Sequence, residues 1–159
     1  MLIIVLVVGY LTTQDDGGGP DRQPSGGSVI VEVDRVVDGD TAKVFYEGES
    51  EYVRYIGIDT PESVQPDAPV ECFGEQSKDF NAGLIEGQDM KMVFDEEKRD
   101  HYGRLLAYVY VNGKMINAEM LRRGYATTLE ISPNTSKASQ FRDLEEEARD
   151  AGRGLWSAC

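Results

Sequence analysis

From Ser28 onward, apolar and polar positions alternate in short runs, the pattern of strands buried on one face. "VIVEVDRVV" carries Val29, Val31 and Val33 on one side. "TAKVFYE" and "EYVRYIGI" follow as β-branched and aromatic runs, and "DMKMVFD" and "LLAYVYV" supply a fourth and a fifth. Helical spacing appears in three other places. "CFGEQSKDFNAGLIEG" sets Phe73, Phe80, Leu84 and Ile85 near the helical period and stops on Gly87. "INAEMLRRG", after a hairpin turn at Asn112-Gly113, reads as a short second helix ended by Gly124. "SKASQFRDLEEEARDAG" aligns Phe141, Leu144 and Ala148 on one face and leaves Glu145, Glu146 and Glu147 on a solvated one.

The first residues follow a different pattern. "MLIIVLVVGYL" is a continuous apolar run from Met1 to Leu11, and a Gly-, Pro- and Asp-rich stretch of linker composition succeeds it. The run is too short to span a bilayer, which needs about 20 residues, and it lacks a basic start and an A-x-A cleavage site. It fits best as the hydrophobic region of a signal or anchor whose basic start is missing; a start-site artefact and an extra strand are the lesser readings. The expected organisation is a leader and linker over residues 1–27 and one domain over residues 28–159. A chain of 159 residues, 40% of them hydrophobic, suffices for a single core.

Charge narrows the function classes. A formal net charge of −13 argues against a protein that coats nucleic acid through excess Lys and Arg. A polyanionic partner would need a local positive site or a bound cation. The two cysteines, Cys72 and Cys159, are too few for a disulfide framework and lack zinc spacing. They form one bridge or none; a bridge would clip the C-terminal tail to the start of the first helix, with a chain-entropy upper bound of about 4.6 kcal/mol. With the apolar leader, a bridge would favour export.

Candidate chemistry gathers in the second and third strands. With a short turn at "EGES", residues 47–50, the hairpin is expected to pair positions whose numbers sum to nearly 99, which sets Asp40 opposite Asp59. Facing like charges destabilise a strand pair, whereas a hard divalent cation between them would be held by carboxylates, carbonyls and water. Thr60 offers a carbonyl, and Asp38 and Glu62 more acid. Ordinary turn formers at strand ends would give the same residues.

"DGDT" (Asp38–Thr41), "VRYIGIDTPE" (Val53–Glu62), "DHYGRLLAYVY" (Asp100–Tyr110) and "GLW" (Gly154–Trp156) together resemble, in order and spacing, the staphylococcal nuclease or thermonuclease family. The resemblance spans Val29 to Trp156 and implies an α+β fold, a five-stranded OB-type β-barrel with three helices. It implies a calcium-dependent phosphodiesterase acting on DNA and RNA, preferably single-stranded, with 3′-phosphate products. By the same resemblance Asp40, Asp59 and the main-chain carbonyl of Thr60 would hold Ca²⁺. Glu62 would activate the attacking water, and Arg54 and Arg104 would hold the scissile phosphate. Tyr102 matches a tyrosine that contacts the nucleotide. His101, the sole histidine, reads as a loop residue. The pattern departs at "YATTLEISPN", where a base-stacking tyrosine of the family falls on Leu129 or Glu130.

Arg99, Arg122 and Arg123 are further cations that could draw a polyanion in. Asn134 opens a glycosylation sequon, but before a helix it reads more simply as an N-cap region. No stable protein partner is expected, and the chain is expected to be a monomer, secreted or anchored on the extracellular side of a membrane through the uncleaved leader. The alternative is a catalytically weak or inactive nucleic-acid-binding copy of the same domain.

Overall fold

The computed structural model describes residues 22–63 and 69–159, so the apolar run Met1–Leu11 lies outside the described residues. The strands are β1 (Ser28–Asp38), β2 (Thr41–Tyr46), β3 (Glu49–Tyr55), β4 (Gly57–Asp59), β5 (Asp89–Val93), β6 (Leu105–Val111), β7 (Lys114–Met115) and β8 (Thr127–Leu129). The helices are α1 (Gly74–Ile85), α2 (Ile116–Arg122), α3 (Ala138–Asp150) and the single turn α4 (Leu155–Ala158). The main sheet runs β3-β2-β1-β5-β6-β7, and β3 also pairs with β6, closing β1, β2, β3, β5 and β6 into a five-stranded barrel. Closure leaves these strands no open edge. The β3–β6 seam is parallel, and two irregularities bend β1 so that it pairs with both β2 and β5. The expected α+β barrel with three helices is the observed architecture, to which α4 adds one turn.

Alternation along each strand builds the core. Val31, Val33, Ala42, Val44, Val53, Tyr55, Met90, Met92, Leu105, Ala107 and Val109 point inward and are buried. On α3 the predicted apolar face is real: Phe141 and Ala148 are buried, and Leu144 packs against the core from its margin. Two buried asparagines tie helices to strands. Asn117 accepts from the Val109 amide at 2.9 Å and donates to the Ile56 carbonyl at 2.8 Å. Asn81 donates to the Asp38 carbonyl at 2.9 Å while the Tyr55 hydroxyl donates to it at 3.1 Å.

The hairpin register differs from the expected one. Pairs run from Thr41↔Arg54 to Tyr46↔Glu49, so the numbers sum to 95. The turn is the two residues Glu47 and Gly48, both at positive φ (52° and 87°), the tight form that matches strand twist. Direct opposition of Asp40 and Asp59 is therefore wrong. The Tyr55 amide donates to the Asp40 carbonyl at 2.9 Å, and Asp59 arrives by another path. The predicted third strand breaks after Tyr55, and β4 leaves the barrel to pair with β8. Gly57 makes the break: its φ is +80°, and a Cβ there would lie 2.6 Å from the Phe141 ring.

Two other expectations change. Asn134 is buried, and its amide bonds both the nitrogen and the carbonyl of Glu97 at 2.8 Å, so it is neither a glycan site nor a helix cap. Helix α3 starts at Ala138, beyond it. The cysteines are bridged: Cys72 and Cys159 form a disulfide with their Cα atoms 6.0 Å apart. Replacing both by serine should lower the free energy of unfolding by about 2–4 kcal/mol. Urea titration measures this, and an unchanged midpoint would show that the tail is held without the bridge.

Candidate active site

Arg54 is the centre of the site. Its neighbours on β3, Val53 and Tyr55, point into the core, so Arg54 faces out beneath the bend into β4. Its side chain is only 14% exposed. One terminal nitrogen, Nη1, donates to the carbonyls of Ile58 at 2.7 Å and Tyr55 at 3.1 Å. The other, Nη2, lies 2.7 Å from Asp59 Oδ1 and 3.1 Å from Asp40 Oδ2. Asp40 and Asp59 are thus brought together as the sequence led one to expect, but around the chain's own guanidinium.

The two acids differ in setting. Asp40 is buried and accepts at Oδ2 from the Thr60 amide (2.8 Å) and hydroxyl (3.0 Å), and at Oδ1 from the Thr41 hydroxyl (2.8 Å). Thr60 is packed behind it. Asp59 is 52% exposed at its side chain. Burial foremost, and the nearby Asp40, Glu71 and Asp38, raise its pKa against the opposing pull of Arg54.

Glu62 is half-buried beside Asp38. Burial, a hydrogen bond shared with Asp38 and the charges of Asp38, Asp40 and Asp59 push its carboxyl up to about 7. Asp38 is itself fixed by the Gly39 amide (2.9 Å) and the Ser63 hydroxyl (2.8 Å). The backbone of Glu62 is clamped by Glu71: its amide donates to Glu71 Oε2 at 3.0 Å, and its carbonyl accepts from the Glu71 amide at 3.0 Å. Gly74, at the start of α1, must lack a side chain, since a Cβ would stand 2.6 Å from the Glu62 carbonyl.

Arg104 sits at the mouth of β6. Its Nε donates to Asp100 Oδ2 at 2.7 Å and its amide to Asp100 Oδ1 at 2.9 Å. Burial raises the Asp100 pKa, but these bonds and one from the Tyr102 amide bring it below the usual carboxylate range. The terminal nitrogens of Arg104 have no hydrogen-bond partner among the described residues. Tyr102 is 74% exposed, with the guanidinium of Arg104 5.5 Å from its ring centroid and the His101 ring 3.8 Å away, tilted by 41°.

Asp38, Asp40, Arg54, Glu62, Tyr102 and Arg104 line one cleft of about 390 Å³, together with Val37, Thr41 and Tyr52. A second, apolar cavity of about 370 Å³ lies on the other side of Arg54 and is walled by Ile56, Ile58, Leu106, Leu129 and Ile131. Of the two candidates for the departing stacking position, Leu129 faces this cavity. Glu130 pairs with Arg142 at 2.7 Å.

Among the described residues, no group of three or more His, Cys, Asp or Glu side chains is disposed to hold a metal ion. Two carboxylates with a carbonyl and water are nonetheless a set that a hard cation takes. The Arg54 guanidinium stands between Asp40 and Asp59, so the pair accepts positive charge there, and a bound metal ion would share these carboxylates with Arg54.

Arginine use elsewhere is uniform. Every arginine of the chain stands in an ion pair, whereas no lysine does among the described residues. The cations expected to draw in a polyanion are taken: Arg99 grips Glu51 with both terminal nitrogens, and Arg122 and Arg123 flank Glu119. Asp100, Glu71 and Tyr52 were not singled out from the sequence. The i, i+4 spacing of Asp100 and Arg104 and the same-face spacing of Tyr52 and Arg54 were the available signals.

The described strands thus form an OB-type barrel with an acid pair, a half-buried glutamate and Arg54 at the open end of the β2–β3 hairpin, and with Arg104 facing them from the start of β6. Residues 52–158 match the family described as Staphylococcal nuclease homologue, and the chain belongs to that family. It is 39% identical over 150 residues to endonuclease YncB of Bacillus subtilis (strain 168), covering 93% of this chain and 71% of the relative. It is 43% identical over 131 residues to the SPbeta prophage-derived endonuclease YokF of the same organism, covering 81% of this chain and 44% of that protein. Against the thermonuclease of Staphylococcus intermedius the identity is 34% over 158 residues, covering 97% of this chain and 90% of the relative. Membership supports a nuclease-type function.

Proposed function

We propose that residues 28–159 form a calcium-dependent phosphodiesterase that cuts DNA and RNA, preferably as single strands, and leaves 3′-phosphates. The observation that carries this reading is the lining of one cleft by Asp40, Arg54, Glu62 and Arg104, with Asp59 paired to Arg54. Asp40, Asp59 and the Thr60 carbonyl would hold Ca²⁺, which when bound offsets charge gathering on the phosphate. Arg54 and Arg104 hold phosphate oxygens with planar forks suited to them. Glu62, with a proton affinity near neutrality, takes the proton of the attacking water. The water oxygen bonds to phosphorus, the bond from phosphorus to the 5′ oxygen breaks, and that oxygen gains a proton from solvent. Tyr102, open on the cleft rim, contacts the nucleotide. The test is hydrolysis of heat-denatured DNA with calcium and with chelator.

The protein acts as a monomer, and the leader and linker over residues 1–27 deliver it outside the cell, a setting that suits the disulfide. No helix among the described residues is long and apolar enough to cross a membrane. Because the arginines outside the cleft are paired, few phosphates are neutralised on binding. The slope of log affinity against log salt is about −0.7 per neutralised phosphate on single strands, so two arginines and at most one further cation predict about −1.4 to −2.1. Binding of an E62Q variant to a single-stranded oligonucleotide at fixed free calcium measures it. A slope as steep as that of a basic protein would reveal a continuous cationic groove.

A further inference from the structure

Tyr52 lines the cleft but has no part in the chemistry above. The hairpin register pairs it with Lys43, two pairs along from Thr41↔Arg54. Because Val53 and Tyr55 point into the core, Tyr52 and Arg54 share the outer face of β3, about 7 Å apart at two strand residues. Tyr52 is 42% exposed, and Lys43 Nζ lies 4.5 Å from its ring centroid. In the next strand Lys43 is paired with Arg35, also exposed. A row of cation, cation and aromatic therefore crosses the outside of β1, β2 and β3 beside the row that carries Arg54. Lys43 has no ion-pair partner among the described residues.

An open aromatic ring backed by cations and continuous with a phosphate-holding cleft is the chemistry that binds single-stranded nucleic acid without regard to sequence. We propose that Tyr52, steadied by Lys43, is a stacking platform for the nucleotide one step beyond the two that flank the scissile phosphate, where the strand leaves the cleft over β2 and β3. The face of strands two and three is where OB barrels commonly receive oligonucleotides. A merely structural role explains the residue less well, since a tyrosine serving only β-propensity needs neither the cleft nor the cation over its ring. The inference rests on the nuclease reading and deepens it.

The test uses the full chain carrying E62Q, with labelled single-stranded oligonucleotides of two and six nucleotides at fixed free calcium. Adding Y52A should weaken binding of the six-nucleotide strand about 5- to 150-fold, the span of one stacked base. The dinucleotide should bind both proteins alike. Y52F and Y52W should hold the parent's affinity, because stacking needs the ring and not the hydroxyl. A 2-aminopurine placed one step beyond the two nucleotides that flank the scissile phosphate should be quenched by the parent and not by Y52A. Equal affinity of Y52A and parent for the six-nucleotide strand overturns the platform, as does an equal loss on the dinucleotide. Failure of the parent itself to bind either strand strikes the nuclease reading instead.

Discussion

Alanine at Arg54 or Arg104 should remove on the order of 3–4 kcal/mol of transition-state stabilisation, a loss of about two to three orders of magnitude in kcat/KM. Glutamine at Glu62 should slow turnover by about 10²- to 10⁴-fold. The three losses differ in kind. Arg104 is anchored by one nitrogen to Asp100 and keeps its other two toward the cleft, so its removal touches phosphate binding and little else. Lysine should not rescue it, because a point charge cannot span two oxygens. Arg54 also holds two carbonyls and two carboxylates, so its alanine variant should melt earlier as well. Rates near wild type in all three, with folding intact, would falsify the assignment of this cleft as the catalytic one.

Chelation should abolish turnover altogether. Activity should return at free Ca²⁺ of roughly 10⁻⁴ to 10⁻³ M, the range of extracellular oxygen-donor sites. Mg²⁺ should serve poorly, since it demands tighter octahedral geometry. A readout independent of catalysis is the rise in melting temperature on adding calcium, which reports binding to the native state. Asp59→Asn should reduce that rise and leave the calcium-free melting temperature nearly unchanged, because Asp59 is half open to solvent and has one partner. Asp40→Asn is the worse test. The buried carboxylate accepts from Thr41, Thr60 and Arg54, and an amide cannot accept from all of them. Full activity in chelator would remove calcium from the reading.

Much of this was legible in the chain because local signals and tertiary structure agree. "LLAYVYV" is β6 to the residue, and Asn112-Gly113 is the turn after it, at positive φ in both positions. Agreement failed where a signal had two readings. "EGES" allowed a four-residue turn or a two-residue one, and the wrong choice moved the register from 95 to 99. The acid pair was still found, because β4 folds back and delivers Asp59 to Arg54 by a route that alternation cannot express. That route depends on Gly57 meeting Phe141, residues 84 positions apart in chain. Asn134 carried a sequon, yet its burial against Glu97 is a tertiary fact. The pairing of Arg99 with Glu51 is likewise invisible until β3 stands beside the loop that leads to β6.

The commitment of every arginine to a nearby acid has a kinetic side. With those cations neutralised at close range, the distant field is that of the surplus carboxylates, and at physiological ionic strength it fades within about 8 Å. On the proposed reading a strand would not be guided in from afar; it would find the cleft by collision, and only inside it would it meet Arg54 and Arg104. Added salt thins the repulsive atmosphere while loosening the contacts within, so capture quickens as retention shortens. A nuclease of this kind would be most productive where brief visits are frequent, since it must let go of each piece.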